Sequence, residues 1–240
     1  MGISQSIQLG TRPVEPRVLA GAASAADVAA RLDAAEPLHR NRVKRAVDVV
    51  GALAALLLFG PLMLLIALLI KLDGGPAVFG HKRIGIDGQS FTCWKFRSMV
   101  VNANEVFDQL MARDPEARAE WATARKLRND PRITRIGRFL RRSSLDELPQ
   151  LFNVLAGEMS LVGPRPIVQE EVARYRACFP YYTQCRPGLT GLWQVSGRND
   201  VDYTRRVQLD TAYLFSWSLW SDIRIMLRTV GVMFSGRGAY

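Results

Sequence analysis

Residues 49–70, VVGALAALLLFGPLMLLIALLI, carry no charged side chain, and the architecture turns on whether they form one helix or two. As one straight helix the run would reach about 33 Å, enough to cross a hydrocarbon core. Gly60-Pro61 falls in its middle, where proline removes a backbone donor and crowds the carbonyl four residues earlier. Both flanks are basic: Arg40, Arg42, Lys44 and Arg45 precede the run, and the chain after it is net positive. A straight crossing would export one basic side, whereas two half-helices broken at Gly60 and Pro61 keep both in the cytoplasm. The sequence therefore predicts a re-entrant helix-break-helix over residues 41–72. Carbonyls freed at the break would need partners, because irregular backbone at that depth is tolerated only when satisfied.

Around this segment lie a tail, residues 1–40, without aromatic residues and read as disordered or weakly helical, and one domain, residues 73–240. Lys and Arg number 32 against 22 Asp and Glu, for a net charge of +10, which suits nucleic acid, an anionic membrane surface or phosphorylated substrates. Cys93, Cys178 and Cys185 offer neither a disulfide framework nor a zinc pattern. With His39 and His81 the only histidines, acids and arginines must carry any chemistry. The expected fold class is α+β and mostly helical. Val78 to Ile84 and Phe91 to Phe96 read as a hairpin turning at Asp87-Gly88. Helices are expected over Val101–Met111, Pro115–Leu127 (capped by Asp114), Ile136–Arg142, Leu145–Leu155 (stopped by Gly157), Ile167–Phe179, Tyr203–Ser216 and Ser218–Phe234, with a short strand over Leu192–Val195. Tyr213, Phe215, Trp217 and Trp220 form an aromatic group suited either to headgroup depth or to a core.

Chemistry concentrates at Ser144-Leu145-Asp146-Glu147-Leu148-Pro149, shortly after Arg138, Arg141 and Arg142. Paired acids at a helix start, beside arginines, suit phosphoryl transfer, in which positioning and charge neutralisation dominate and a carboxylate can act as nucleophile. On local spacing alone Ser144 and Glu147 also match a capping box, a purely structural role that leaves Asp146 unexplained. Arg141, Arg165 in the stiff Gly163-Pro164-Arg165-Pro166, Arg186 and Arg198 are the candidate phosphate contacts, since guanidinium forks pair with phosphate at two points. A nucleic-acid-binding module accounts for the charge but not for carboxylates set among its arginines, so no nucleic acid is expected.

Taken in order, the basic-flanked apolar run with Gly60-Pro61, Lys95-Phe96-Arg97-Ser98-Met99, Ser144 to Leu151, Gly163-Pro164-Arg165-Pro166 and Arg186-Pro187-Gly188-Leu189-Thr190-Gly191 resemble the bacterial sugar transferases called monotopic phosphoglycosyl transferases. The stretches Gly191 to Asp200 and Ser235 to Tyr240 are most similar to the galactosyl-1-phosphate transferases of succinoglycan-type exopolysaccharide synthesis. The family often has Ser-Pro where this chain has Gly60-Pro61.

The resemblance implies transfer of a hexose-1-phosphate, galactose before glucose, from a UDP-hexose to undecaprenyl phosphate, with release of UMP. Asp146 would be the nucleophile and form a covalent aspartyl-phosphosugar, and Glu147 would bind Mg²⁺. Lys95 and Asp210, in family-like stretches, are candidates for the edge of the site. The implied setting is the cytosolic face of the bacterial inner membrane, entered from one side by the re-entrant segment and contacted by interfacial amphipathic helices, with membrane lipids and a second copy of the chain as further candidate partners.

Overall fold

The computed structural model describes residues 37–124, 127–197 and 201–235. It is mostly helical, with two small two-stranded sheets. The apolar run lies within one helix, α1 (Arg42–Lys71), opened by Asn41, whose side chain accepts the Lys44 N–H. The expected interruption is not an element boundary, because α1 continues through Gly60 and Pro61. Proline at 61 removes only the bond to the Leu57 carbonyl, and Leu57 is 85% exposed.

One stripe of α1 is buried against the rest of the chain, fully towards its two ends and partly between Ala52 and Met63. Ala52 packs with Phe91, Cys93, Leu151, Val154 and Met159, and further along Met63, Ile66 and Ile70 pack with Phe96 and Leu140. Polar clasps hold both ends. At the start, Lys44 donates to the Val162 carbonyl and to Asp222 at 2.8 Å, Ser160 donates to Asp48, and Arg45 caps the Val154 and Leu155 carbonyls. At the finish, the Arg97 guanidinium collects the carbonyls of Ile70, Pro76 and Met99 together with the Asp73 carboxylate. The opposite face shows Leu53, Leu57, Leu58, Leu64, Leu65 and Leu68 to the outside.

The hairpin forms as its alternation predicts. β1 (Val78–Ile84) pairs antiparallel with β2 (Ser90–Phe96), from Val78 opposite Phe96 to Ile84 opposite Ser90, and turns through Asp87 and Gly88 at positive φ. α2 (Ala103–Arg113) and α3 (Pro115–Ala124) follow, the latter capped by Asp114, which accepts from the backbone of Glu116 and Ala117. Next come α4 (Arg135–Ser143) and α5 (Gln150–Ala156). Gly157, at φ 84°, ends α5 in the left-handed conformation that glycine adopts without strain. Asn153 ties α5 to the hairpin, accepting the Trp94 N–H and donating to the Thr92 carbonyl.

Further along the chain, two expectations fail. The helix expected over Ile167–Phe179 shrinks to α6 (Val172–Tyr175) and α7 (Phe179–Thr183), separated by Arg176 at φ 47°. Ile167 is instead drawn into a bridge with Ile84. The strand expected over Leu192–Val195 is a helical turn, α8 (Leu192–Val195). The strand lies just before it, where β4 (Gly188–Thr190) pairs in parallel with β3 (Ser160–Val162). α9 (Tyr203–Phe215) and α10 (Leu219–Ser235) close the described chain. Of the two tryptophans in the aromatic group, Trp217 turns inward and donates to Asp222, while Trp220 is 62% exposed. Tyr213 is buried against the same acid.

Candidate functional site

The helix expected over Leu145–Leu155 is two pieces, and the difference decides what the acids do. α4 ends at Ser143, Ser144 takes a left-handed φ of 56°, and Leu145–Glu147 form a single 3₁₀ turn before α5 begins. The Ser144 side chain makes no capping bond. Glu147 points instead to Lys95 on β2, its Oε1 accepting from Nζ at 2.5 Å. The capping-box reading of Glu147 therefore does not hold, and the acids sit in a turn rather than at the start of a long helix. Basic side chains supply the positive charge expected of a helix N-terminus.

Asp146 sits half-buried between Glu147, Lys95 and Arg141. Burial and the Glu147 charge push its carboxyl up to about 6, against the pull of Lys95 and Arg141. Burial works against the Lys95 charge too, but Glu147 and Asp146 outweigh it and hold that ammonium above the ordinary lysine value. Burial lowers Arg141, with Asp146 opposing. Of the four arginines on α4, Arg135, Arg138 and Arg142 face outward and only Arg141 turns in, its Nε donating to Ser98 Oγ at 2.8 Å. The arrangement is a partly desolvated carboxylate with a second acid beside it and two cations around both, suited to attack on an anionic phosphorus centre.

Arg165 stands in a neighbouring group. Its guanidinium lies over the Trp193 ring at 5.6 Å, and its charge acts on the buried Asp210, which accepts from Tyr175 at 2.7 Å. Burial pushes Asp210 up to about 7. Arg206 shares the Trp193 ring and pairs with Glu171, which also faces Arg83 at 4.0 Å. Arg83 links the two groups: its charge acts on Arg165 and on the Cys93 thiol, which also feels Lys95 and Glu147. Arg186 lies elsewhere. It donates to the Gly157 carbonyl at 2.8 Å and to the His39 carbonyl at 2.5 Å, beyond the far end of α5 from the acids. Arg198 falls outside the described residues.

Sequence reading passed over His81, Arg83 and Ser98. The signal for the first two is alternation: His81 and Arg83 lie opposite Cys93 and Phe91, so the register puts both on the hairpin face that carries Lys95. Burial and the charges of Arg83 and Lys95 lower the His81 pKa. Ser98 lies in the Lys95-Phe96-Arg97-Ser98-Met99 stretch, but its role shows only through its contact with Arg141, a residue far away in sequence.

The family model described as bacterial sugar transferase matches residues 39–236. The UDP-galactose-lipid carrier transferase of Erwinia amylovora is 54% identical over 203 residues, covering 84% of this chain and 43% of that protein. An undecaprenyl-phosphate galactose phosphotransferase of Salmonella typhimurium is 55% identical over 198 residues, covering 82% and 42%. The exopolysaccharide production protein ExoY of Rhizobium meliloti is 52% identical over 198 residues, covering 82% of this chain and 88% of its own length. The chain thus spans less than half of the first two relatives and most of the third.

Proposed function

The chain belongs to the bacterial sugar transferase family, and on that premise we propose that it transfers a hexose-1-phosphate, galactose first and glucose second, from a UDP-hexose to undecaprenyl phosphate. The products are undecaprenyl-diphospho-hexose and UMP, and the step initiates an exopolysaccharide repeat unit. The names of the relatives support the substrates and the polymer. The observation that carries the chemistry is Asp146, half-buried and flanked by Glu147, Lys95 and Arg141.

In this reading an Asp146 carboxylate oxygen attacks the sugar-bearing phosphorus, the bond from that phosphorus to the bridging oxygen breaks, and UMP leaves with that oxygen. An oxygen of undecaprenyl phosphate then attacks the same phosphorus and breaks the acyl-phosphate bond, returning Asp146 as a carboxylate. Neither step consumes a proton from the protein. Arg141 neutralises charge on the phosphoryl oxygens, Lys95 holds Glu147 in place, and Arg165 approaches the diphosphate from the neighbouring group. Glu147 would hold Mg²⁺, whose charge eases the departure of UMP. The donor set fits such an ion. Among the described residues no group of three acids, cysteines or histidines gathers to form a protein cage, and Mg²⁺ is commonly bound through one or two carboxylates with waters and substrate phosphates. Lys95 takes one Glu147 oxygen and leaves the other.

The membrane setting belongs to the same proposal. α1 enters one leaflet of the inner membrane from the cytosolic side, bent at Pro61, with its leucine face in lipid and its buried stripe on the catalytic body. Both ends of α1 are clasped by that body, which supports an entry and return on one side. The exposed Trp220 is suited to the headgroup layer. Such a depth brings Asp146 within reach of a soluble nucleotide sugar and of a lipid phosphate.

The deciding experiment measures UMP release across a panel of UDP-sugars with undecaprenyl phosphate, with and without chelator, for the native enzyme and Asp146→Asn. Release that requires Mg²⁺ and is lost in a folded Asp146→Asn protein is expected, together with a phosphosugar adduct on Asp146 in donor-loaded, acid-quenched protein. Full turnover by Asp146→Asn would remove the nucleophile from the account.

A further inference from the structure

Ser98, the residue after Arg97 at the exit of the hairpin, is 8% exposed and meets α4 through three contacts. Its carbonyl accepts the Thr134 N–H at 3.1 Å, just where Thr134 caps α4 by accepting the Gly137 N–H. A Cβ on Gly137 would come within 2.0 Å of the same carbonyl, so only glycine lets α4 lie this close. One turn further, the Ser98 hydroxyl accepts the Arg141 Nε–H at 2.8 Å. The first turn of α4 is thus fixed against the Ser98 backbone, and its inward arginine is fixed by the Ser98 side chain. With Nε taken, the guanidinium keeps the edge formed by its two terminal nitrogens, one of the two edges that can make paired bonds to carboxylate or phosphate.

We propose that Ser98 is a positioning residue that orients Arg141, so that the terminal edge of the guanidinium faces Asp146 and the phosphoryl group it attacks. The kinetic arm of this inference rests on the transfer reaction proposed above, while the geometric arm does not. Ser98 touches no reacting atom. It acts through Arg141, and its removal lets the guanidinium rotate about its side chain and present a different edge.

The test measures UMP release from UDP-galactose and undecaprenyl phosphate for the native enzyme, Ser98→Ala, Ser98→Thr, Arg141→Ala and the Ser98→Ala, Arg141→Ala double variant, with thermal unfolding of each. A misplaced catalytic group commonly costs between tenfold and a hundredfold. Ser98→Ala is therefore expected to lower kcat by about tenfold or more while KM stays within about twofold, and Ser98→Thr, which keeps the hydroxyl, to restore most of the rate. In the Arg141→Ala background Ser98→Ala should cost nothing further, since coupled residues are non-additive. Should Ser98→Ala fail to fold, Ser98→Cys keeps the volume with a weaker acceptor and must show the same loss in smaller degree. A substrate-free readout is the Arg141 Nε–H signal in nuclear magnetic resonance, which the bond to Ser98 Oγ should protect from solvent exchange in the native protein and in Ser98→Thr and leave exchanging freely in Ser98→Ala. The proposal is overturned if the Ser98→Ala loss repeats in full without Arg141, or if the native rate and the native Arg141 Nε–H protection both survive Ser98→Ala. If the native protein releases no UMP from any donor, the transfer reading fails by itself, and the Arg141 Nε–H protection alone decides the role of Ser98.

Discussion

At the scale of the residue, Asp146 is held between opposing demands. Burial and Glu147 favour its neutral form, Lys95 and Arg141 its charge, and the balance stands at about 6. In the proposed transfer Asp146 attacks only when ionised, so kcat/KM should fall as pH drops through about 6, the property of the free enzyme that this ratio reports. Glu147→Gln removes a cause that raises the carboxyl and should move the acid limb to lower pH. Arg141→Ala removes one that lowers it and should move the limb to higher pH. A pH–rate profile of each variant checks both signs, at whatever reduced rate remains. Ionising Asp146 in the fold also opposes stability, because its folded pKa lies above the ordinary value of 3.8. That loss develops as pH rises between these two values and persists at neutrality. Asp146→Asn should therefore raise Tm at pH 7 by about 2–4 °C, the scale of 1 kcal/mol in a chain of this size, and lose the gain near pH 3. Asp146, Glu147, Lys95 and Arg141 were legible because their types and order within motifs announce them. The surroundings of Arg186 were not, because its partners are carbonyls of Gly157 and His39, and spacing does not say which backbone an arginine will meet.

At the scale of the element, periodicity succeeded where one period dominated. The hairpin, the helix stop at Gly157 and the two last helices follow from alternation, a single glycine and amphipathic spacing. It failed where long-range partners won. Ile167 is fully buried and pairs with Ile84 rather than opening a helix, and Leu192–Val195, expected as a short strand, winds into one turn beside β4. The contacts holding α1 were equally hidden. Lys44 and Asp222 lie at opposite ends of the described chain and meet in a buried pair, with Tyr213 and Trp217 also bonded to the acid. Breaking such a pair leaves one charge buried without its partner, and replacing both groups by apolar ones is far milder. Lys44→Met should destabilise the protein by about 3 kcal/mol, the lower end of the usual range because Asp222 keeps its two neutral donors. Adding Asp222→Leu should recover much of it. Denaturant unfolding in detergent, read on both variants, measures the difference.

At the scale of the molecule, the basic flanks of α1 and the clasps at its two ends carry one consequence for topology. About 45 Å of helix, if straight, is long enough to cross a bilayer, yet Lys44 near the start and Ile70 near the finish bond to the same body through Asp222 and Arg97. Pulling the ends to opposite sides of a membrane would break the Lys44–Asp222 pair or the Arg97 cluster, and would carry a basic segment outward against the positive-inside bias. The proposed bend at Pro61 would satisfy length, contacts and charge together, putting the exposed leucines in lipid and the acid turn near the surface. Single cysteines at Arg42 and Leu72, both exposed, report the two ends once the half-buried Cys178 is replaced by serine, since Cys93 and Cys185 are buried. In intact cells a membrane-impermeant maleimide should label neither position, and in inverted inner-membrane vesicles it should label both. Labelling of one position from each side would establish a crossing helix, and the depth assigned to Asp146 would then have to come from the catalytic body alone.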